Sequence, residues 1–170
     1  MRTDCARNIV LIGMPGAGKS TVGVLLAKRL GYHFIDTDLL IQAGAQARLQ
    51  QIIAARGMAA FKMIEAEVLC RLSASRAVVA TGGSAVYSKE AMHHLADLGR
   101  MVFIDVPLAD LQNRIEDMDS RGLVLDADED FPGLFARRRP LYRSWADITI
   151  DAAGLTPGAV AATIEDRVCG

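Results

Sequence analysis

The chain has 170 residues, 51% of them hydrophobic and 23% charged, which fits a single globular domain over 1–170 rather than two and is long enough to bury a core. Its 19 Lys+Arg against 20 Asp+Glu give a net charge of -1, so no overall field draws it to nucleic acid or to an acidic membrane, and neither is expected as a partner. Cys5, Cys70 and Cys169 are odd in number and widely spaced. That pattern argues against a zinc site or a disulfide framework and for three thiols in a reducing compartment.

In chain order, the first apolar run, Ile9 to Ile12, stops at Gly13. It is far short of the roughly 20 apolar residues of a membrane span and lacks the long apolar stretch of a signal peptide, so a cytoplasmic location is expected. Similar runs follow, and the strands are predicted at 8–12, 32–35, 77–80, 101–106 and 147–150. Segments of helical period lie between and after them, at 19–30, 59–74, 88–98, 107–117 and 157–168. This alternation predicts an α/β architecture of three layers, with a central five-stranded parallel sheet flanked by helices. Within 59–74 the apolar stripe runs through Phe61, Ile64, Val68, Leu69 and Leu72 and leaves Lys62 and Glu65 off it. The stretch 117–131 is polar, acidic and without a clear period, and is expected to be a long mobile connection, which over a nucleotide site acts as a lid.

The strongest chemical signal is Gly13-Met14-Pro15-Gly16-Ala17-Gly18-Lys19-Ser20, a match to G-x-x-x-x-G-K-[ST] between a predicted strand and a predicted helix. Gly13, Gly16, Ala17 and Gly18, with Thr21 at the helix start, turn backbone N–H groups toward a polyphosphate. Lys19 is expected on the β- and γ-phosphates of ATP and Ser20 on magnesium. A second signal, Asp36-Thr37-Asp38, follows the next strand, where an extended backbone would point both carboxylates the same way. In open parallel sheets the ligand crevice lies beyond the carboxyl ends of the strands, so the pair would stand beside the phosphate loop. One carboxylate can hold magnesium and the other can take a proton from an attacking hydroxyl. The same tripeptide also serves as a turn and helix cap.

With these residues the chain resembles the shikimate kinase family, from Ile9 to the last helix. Gly13 to Val22 and Phe34 to Asp38 are similar to that family's phosphate loop and acidic pair. The resemblance implies a P-loop kinase fold with a lid over about 117–131 and an acceptor-binding region over about 36–63. It also implies ATP and Mg2+ as cofactors, Asp36 on the metal, Asp38 as base and holder of the acceptor's hydroxyls, and a monomer. Phe61-Lys62-Met63-Ile64-Glu65 resembles the family's Phe-Arg-x-x-Glu with lysine in the arginine's place, and a lysine lacks the bidentate fork that matches a carboxylate. Read without the family, Lys62 is an exposed i,i+3 partner of Glu65. Thr81-Gly82-Gly83-Ser84 resembles the family's triple glycine, with Ser84 adding a side chain that reshapes the pocket; by itself Gly82-Gly83 reads as a plain turn. Arg121 in Arg121-Gly122-Leu123-Val124 resembles the lid arginine that stabilises the transferring phosphoryl group, and Arg114 an arginine that stacks on adenine. In Arg137-Arg138-Arg139-Pro140-Leu141-Tyr142, Arg138 aligns with an arginine on the acceptor carboxylate, with Arg137 and Arg139 as solvated neighbours.

The expected activity is phosphoryl transfer from ATP to a hydroxyl of a small anionic acceptor, shikimate first, with Lys19, Asp38 and Arg121 catalytic and Lys62, Gly82, Gly83 and Arg138 on the acceptor. Because Lys62, Ser84 and Gly122 depart from the family, a relative acting on another hydroxylated metabolite is the first alternative. A nucleotide-binding module without efficient transfer is the second.

Overall fold

A computed structural model describes residues 7–116 and 130–170. The aliphatic run Asn8–Ile12 forms β1 and is buried throughout, as a strand covered on both faces must be. It lies in the middle of a five-stranded sheet of order β2-β3-β1-β4-β5, where β2 is His33–Asp36, β3 Ala77–Ala80, β4 Gly99–Asp105 and β5 Ile148–Asp151. Every pairing is parallel, with Ile9 beside Val78 on one side and Arg100 on the other. The strand order reverses direction at β1, so the loop after β1 opens into the crevice where parallel sheets bind ligands.

The helices are α1 Lys19–Leu30, α2 Thr37–Ala45, α3 Leu49–Cys70, α4 Lys89–Leu98, α5 Leu108–Glu116, α6 Phe131–Trp145 and α7 Pro157–Cys169, with a 3-10 turn at Ala85–Tyr87. The predicted three-layer α/β architecture and its five strands are present, each strand within two residues of its expected bounds at either end. Two helices, α2 and α6, were not predicted. The pattern of α2 is hidden behind an acidic pair that reads as extended. Instead, Asp36 caps the helix through a bond from the Asp38 backbone N–H, and Asp38 lies in the first helical turn rather than on a strand. In α6 the run Arg137-Arg138-Arg139 masks the helical period, and the buried face is Leu134, Arg138 and Tyr142. Helix α3 starts at Leu49 rather than 59 and bends at Gly57, whose φ of 81° and ψ of 166° are non-helical. Its inward stripe is Phe61, Glu65 and Leu69, so Glu65, expected off the stripe, is buried.

The principal core packs α1, α4, α6 and α7 against the sheet. A separate small core of Ile41, Ile52 and Phe61 joins α2 to α3. At the end of β4, Asp105 is 7% exposed and accepts a bidentate pair of hydrogen bonds from Arg139, both 2.9 Å, and one of 3.0 Å from Arg143. Arg139 is therefore a tie between α6 and the sheet, not a solvated neighbour of Arg138. Cys70 is a half-buried free thiol, whereas Cys169 is disulfide-bonded, contrary to the expectation of three thiols. Among the described residues no helix is long and apolar enough to cross a membrane.

Candidate active site

The loop between β1 and α1 turns on glycines. Gly13, Gly16 and Gly18 have φ values of 149°, 79° and 86°, a region that side-chain-bearing residues rarely enter. At Gly13 a Cβ would also come 2.9 Å from the Ile104 carbonyl oxygen. Gly18 opens α1, so the amide-rich, positive end of that helix faces the crevice, with Ser20 and Thr21 exposed on its first turn. Lys19 is buried, and its Nζ donates to the carbonyls of Gly13 and Met14 at 2.8 Å each. Burial lowers its pKa to about 8, against the pull of Asp38 and Asp36. Ala17 is buried under the loop, and Arg114 of α5 donates to the Gly16 carbonyl at 3.2 Å, which sets its guanidinium against the phosphate loop.

At the tip of β2 the two readings of the acidic pair meet. Asp36 Oδ1 caps α2, while Oδ2 accepts a 2.6 Å bond from the Ser20 hydroxyl. A hydroxyl and a carboxylate brought together beside a phosphate loop are hard oxygen donors of the kind magnesium takes, so the residues present fit that ion. Asp38 stands deeper. Burial and the neighbouring Asp36 raise its pKa, and Lys19 lowers it.

Beyond β3 two carboxyl groups converge on the place where a side chain at Gly82 would begin. The Gly82 N–H donates to Thr37 Oγ1 at 3.3 Å, and a Cβ at Gly82 would lie 2.2 Å from Glu65 Oε1 and 2.9 Å from Asp38 Oδ1. Gly82→Ala is therefore expected to displace both carboxyls and raise the acceptor KM by roughly tenfold or more, an energy comparable to overpacking a filled site. The ATP KM should stay within about twofold, and initial rates with each substrate varied in turn check this.

Ser84 has an ordinary φ of -87°. Its buried hydroxyl is turned to Glu65 and donates a very short bond to Oε2. Glu65 is 1% exposed, and its Oε1 is without a hydrogen-bond partner among the described residues. Burial lifts its pKa from the ordinary 4.5 to about 7, opposed by the Ser84 bond. A pKa raised in the fold makes a contribution to stability that is full below about 4.5 and is lost as pH rises through about 7. Glu65→Gln should remove that loss, so its stability relative to the parent should rise by about 2–3 kcal/mol between pH 4.5 and pH 8. Urea unfolding at the two pH values measures it.

At the far wall, Arg138 is 2% exposed and its Nε donates to Tyr87 Oη at 3.0 Å. Its Nη1 is directed at Gly83, 3.0 Å from where a Cβ would sit. Tyr142 fixes the same stretch by donating to the Gly83 carbonyl at 2.6 Å, and its ring stacks on Phe103. Three cations surround the Tyr87 ring: Arg138 at 5.0 Å, Lys62 at 5.2 Å and Arg137 at 5.3 Å from its centre. The tyrosine's negative ring face favours such neighbours. Arg137 is thus part of this wall and not a mere solvated neighbour. Sequence reasoning missed Tyr87 because nothing around it forms a pattern; only its place four residues beyond Gly83 hints at the site.

Of the predicted site residues, Gly13, Gly16, Ala17, Gly18, Lys19, Ser20, Thr21, Asp36, Asp38, Gly82, Gly83, Arg114 and Arg138 gather along the carboxyl edge of β1, β2 and β3, with Lys62 on the Tyr87 side. Arg121 and nearly all of the expected lid lie outside the described residues.

The family model "Shikimate kinase" matches residues 15–169. A curated shikimate kinase from Nostoc punctiforme is 40% identical over 161 residues, covering 91% of this chain and 86% of the relative. One from Moorella thermoacetica is 38% identical over 95% of this chain and 94% of its own. Among solved structures, a shikimate kinase from Acinetobacter baumannii in complex with shikimate superposes with a TM-score of 0.89 at 30% identity, over 97% of this chain and 94% of the other. A phosphate loop of this geometry, with an acidic pair at its side and an arginine wall opposite, thus accompanies a match over nearly the whole length, and the chain belongs to the shikimate kinase family, enzymes that use ATP.

Proposed function

We propose that the chain transfers the γ-phosphoryl group of ATP to a hydroxyl of shikimate, giving 3-phosphoshikimate, with magnesium held by Ser20 and Asp36. The observation that carries this reading is the single line of groups from Lys19 through Asp38 and Gly82 to Arg138, which joins a phosphate seat to a carboxylate seat. Magnesium, when bound, neutralises phosphate charge as it is redistributed. Lys19 leaves its two loop carbonyls for the β- and γ-phosphates, and the loop amides with the α1 N-terminus fix the polyphosphate. Asp38 accepts the proton of the attacking hydroxyl, and its raised pKa makes it a better base than an exposed aspartate. Arg138 meets the acceptor carboxylate with the end of its guanidinium not tied to Tyr87, while Lys62 adds a point charge from the same side. Arg121, by the resemblance, stabilises the transferring phosphoryl group, and Arg114 borders the nucleotide. The reaction is positioning and charge stabilisation, both of which depend on keeping water out. A monomer suffices for this chemistry, and a cytoplasmic location suits its substrates.

The test is ADP release with magnesium and ATP, comparing shikimate, a panel of other small hydroxy acids and polyols, and no acceptor. Shikimate alone should raise the rate well above the blank. A different acceptor winning would overturn the acceptor while leaving the nucleotide roles, and no acceptor exceeding the blank would overturn the transfer.

A further inference from the structure

Tyr87 ends the 3-10 turn that follows Gly82 and Gly83, and it is where several elements bring positive charge together. Its half-buried ring has Lys62 of α3 and Arg137 and Arg138 of α6 around it, all within the range over which a ring face attracts a cation. Like charges gathered this closely repel one another, and the negative ring faces of the tyrosine offset part of that cost. The hydroxyl does something more specific. By accepting from Arg138 Nε at 3.0 Å, it occupies one edge of a guanidinium that belongs to a residue only 2% exposed.

Which edge is occupied decides how the arginine meets an anion. A guanidinium grips a carboxylate with two parallel N–H groups, either from the side through Nε and one Nη or from the end through both Nη. The neighbouring Arg139 uses the first mode, giving Nε and Nη2 to Asp105 at 2.9 Å each. In Arg138 the Nε proton is held by Tyr87, so the Nη end is the one turned to a ligand. That end is directed toward the crevice: the point above Gly83 that lies 3.0 Å from Arg138 Nη1 is also 3.0 Å from the Pro15 ring of the phosphate loop. Tyr142, bonded to the Gly83 carbonyl, stands beside the same guanidinium and braces it further.

We propose that Tyr87 is a positioning residue that sets the preference of this chain for a carboxylate-bearing acceptor: its hydroxyl holds Arg138 end-on to the acceptor carboxylate, and its ring keeps Lys62 and Arg137 alongside. The proposal rests on the acceptor reading given above for its kinetic consequences and on the Arg138 bond for its geometry.

Shikimate and its carboxamide, which differ only in the charged group, read this role directly. The parent should use the acid at least about 30-fold better than the amide in kcat/KM, as a buried pair that loses one charge requires. Tyr87→Phe keeps the ring and removes the hydroxyl, and Tyr87→Leu removes both. The acid-to-amide ratio should fall about tenfold in Tyr87→Phe, the order of one lost hydrogen bond to a charged group, and further in Tyr87→Leu, with the loss carried by the KM of the acid. A merely structural tyrosine would slow acid and amide alike, so a ratio within about twofold of the parent's in either variant overturns the proposal. A parent that uses both compounds equally well overturns it too. If the parent turns over neither, the acceptor reading fails, and the Arg138 Nε proton, followed by nitrogen-15 NMR, decides the positioning alone. It should exchange with solvent at least about tenfold faster in Tyr87→Phe than in the parent, the consequence of losing its hydrogen-bond acceptor, and equal exchange overturns it.

Discussion

Asp38→Asn is expected to lower kcat by about 10²- to 10⁴-fold, the range that loss of a general base produces. The substitution keeps the size and hydrogen-bonding reach of the side chain, so the Gly82 backbone and the neighbouring Glu65 have no reason to move. It removes the negative charge that raises the pKa of Lys19, and a modest change in ATP affinity should follow. The shikimate KM should rise less than kcat falls, because an amide still bonds a hydroxyl in the ground state while it cannot take its proton in the transition state. Steady-state kinetics with both substrates varied, together with ATP binding in the absence of acceptor, separate these effects. A kcat within about threefold of the parent would remove Asp38 from the role of base.

Lys19→Met should be nearly as damaging, lowering kcat/KM for ATP by about 10²- to 10³-fold, as expected when a preorganised donor to developing charge is lost. Its effect on folding should have the opposite sign. A lysine that titrates near 10.5 when unfolded and about 8 in the fold binds fewer protons folded than unfolded between those values. The cost of its buried charge is then fully present below about pH 8 and is relieved as pH rises toward 10.5. The variant should accordingly be no less stable than the parent at pH 7 without nucleotide, and should lack the parent's gain in stability above pH 8. Chemical denaturation from pH 7 to pH 10 is the check. Inactivity with undiminished stability assigns the lysine to function, while joint loss of both would assign it to the loop's architecture.

The parts of the fold that were legible in the sequence are those whose patterns are local. β1 is a continuous aliphatic run because both of its faces are covered, and the glycines of the phosphate loop stand where the backbone takes positive φ. Arg138 could be picked from three adjacent arginines by counting back from Pro140, and its burial separates it from its neighbours. Helix α2 escaped because an aspartate that caps a helix and one that ends a strand look alike in one dimension, and here Asp36 does the capping while its second oxygen faces Ser20. The burial of Glu65 was unreadable because a carboxylate at i+4 from Phe61 counts as polar in any periodicity, and only the Ser84 hydroxyl, 19 residues away in sequence, makes it tolerable there. Tyr87 and the Asp105 ion pairs depend wholly on which elements the topology makes adjacent.

The small core of Ile41, Ile52 and Phe61 divides the molecule into two units of unequal cohesion. The principal core must come apart for the sheet to unfold, whereas α2 and the first part of α3 can open at the expense of a few side chains, with Gly57 already departing from helical backbone where that first part ends. Amide hydrogens there should exchange well before those of β1 and β3. A ligand bound beside Asp38 and Lys62 should slow that exchange, lending the weaker unit the cohesion it lacks.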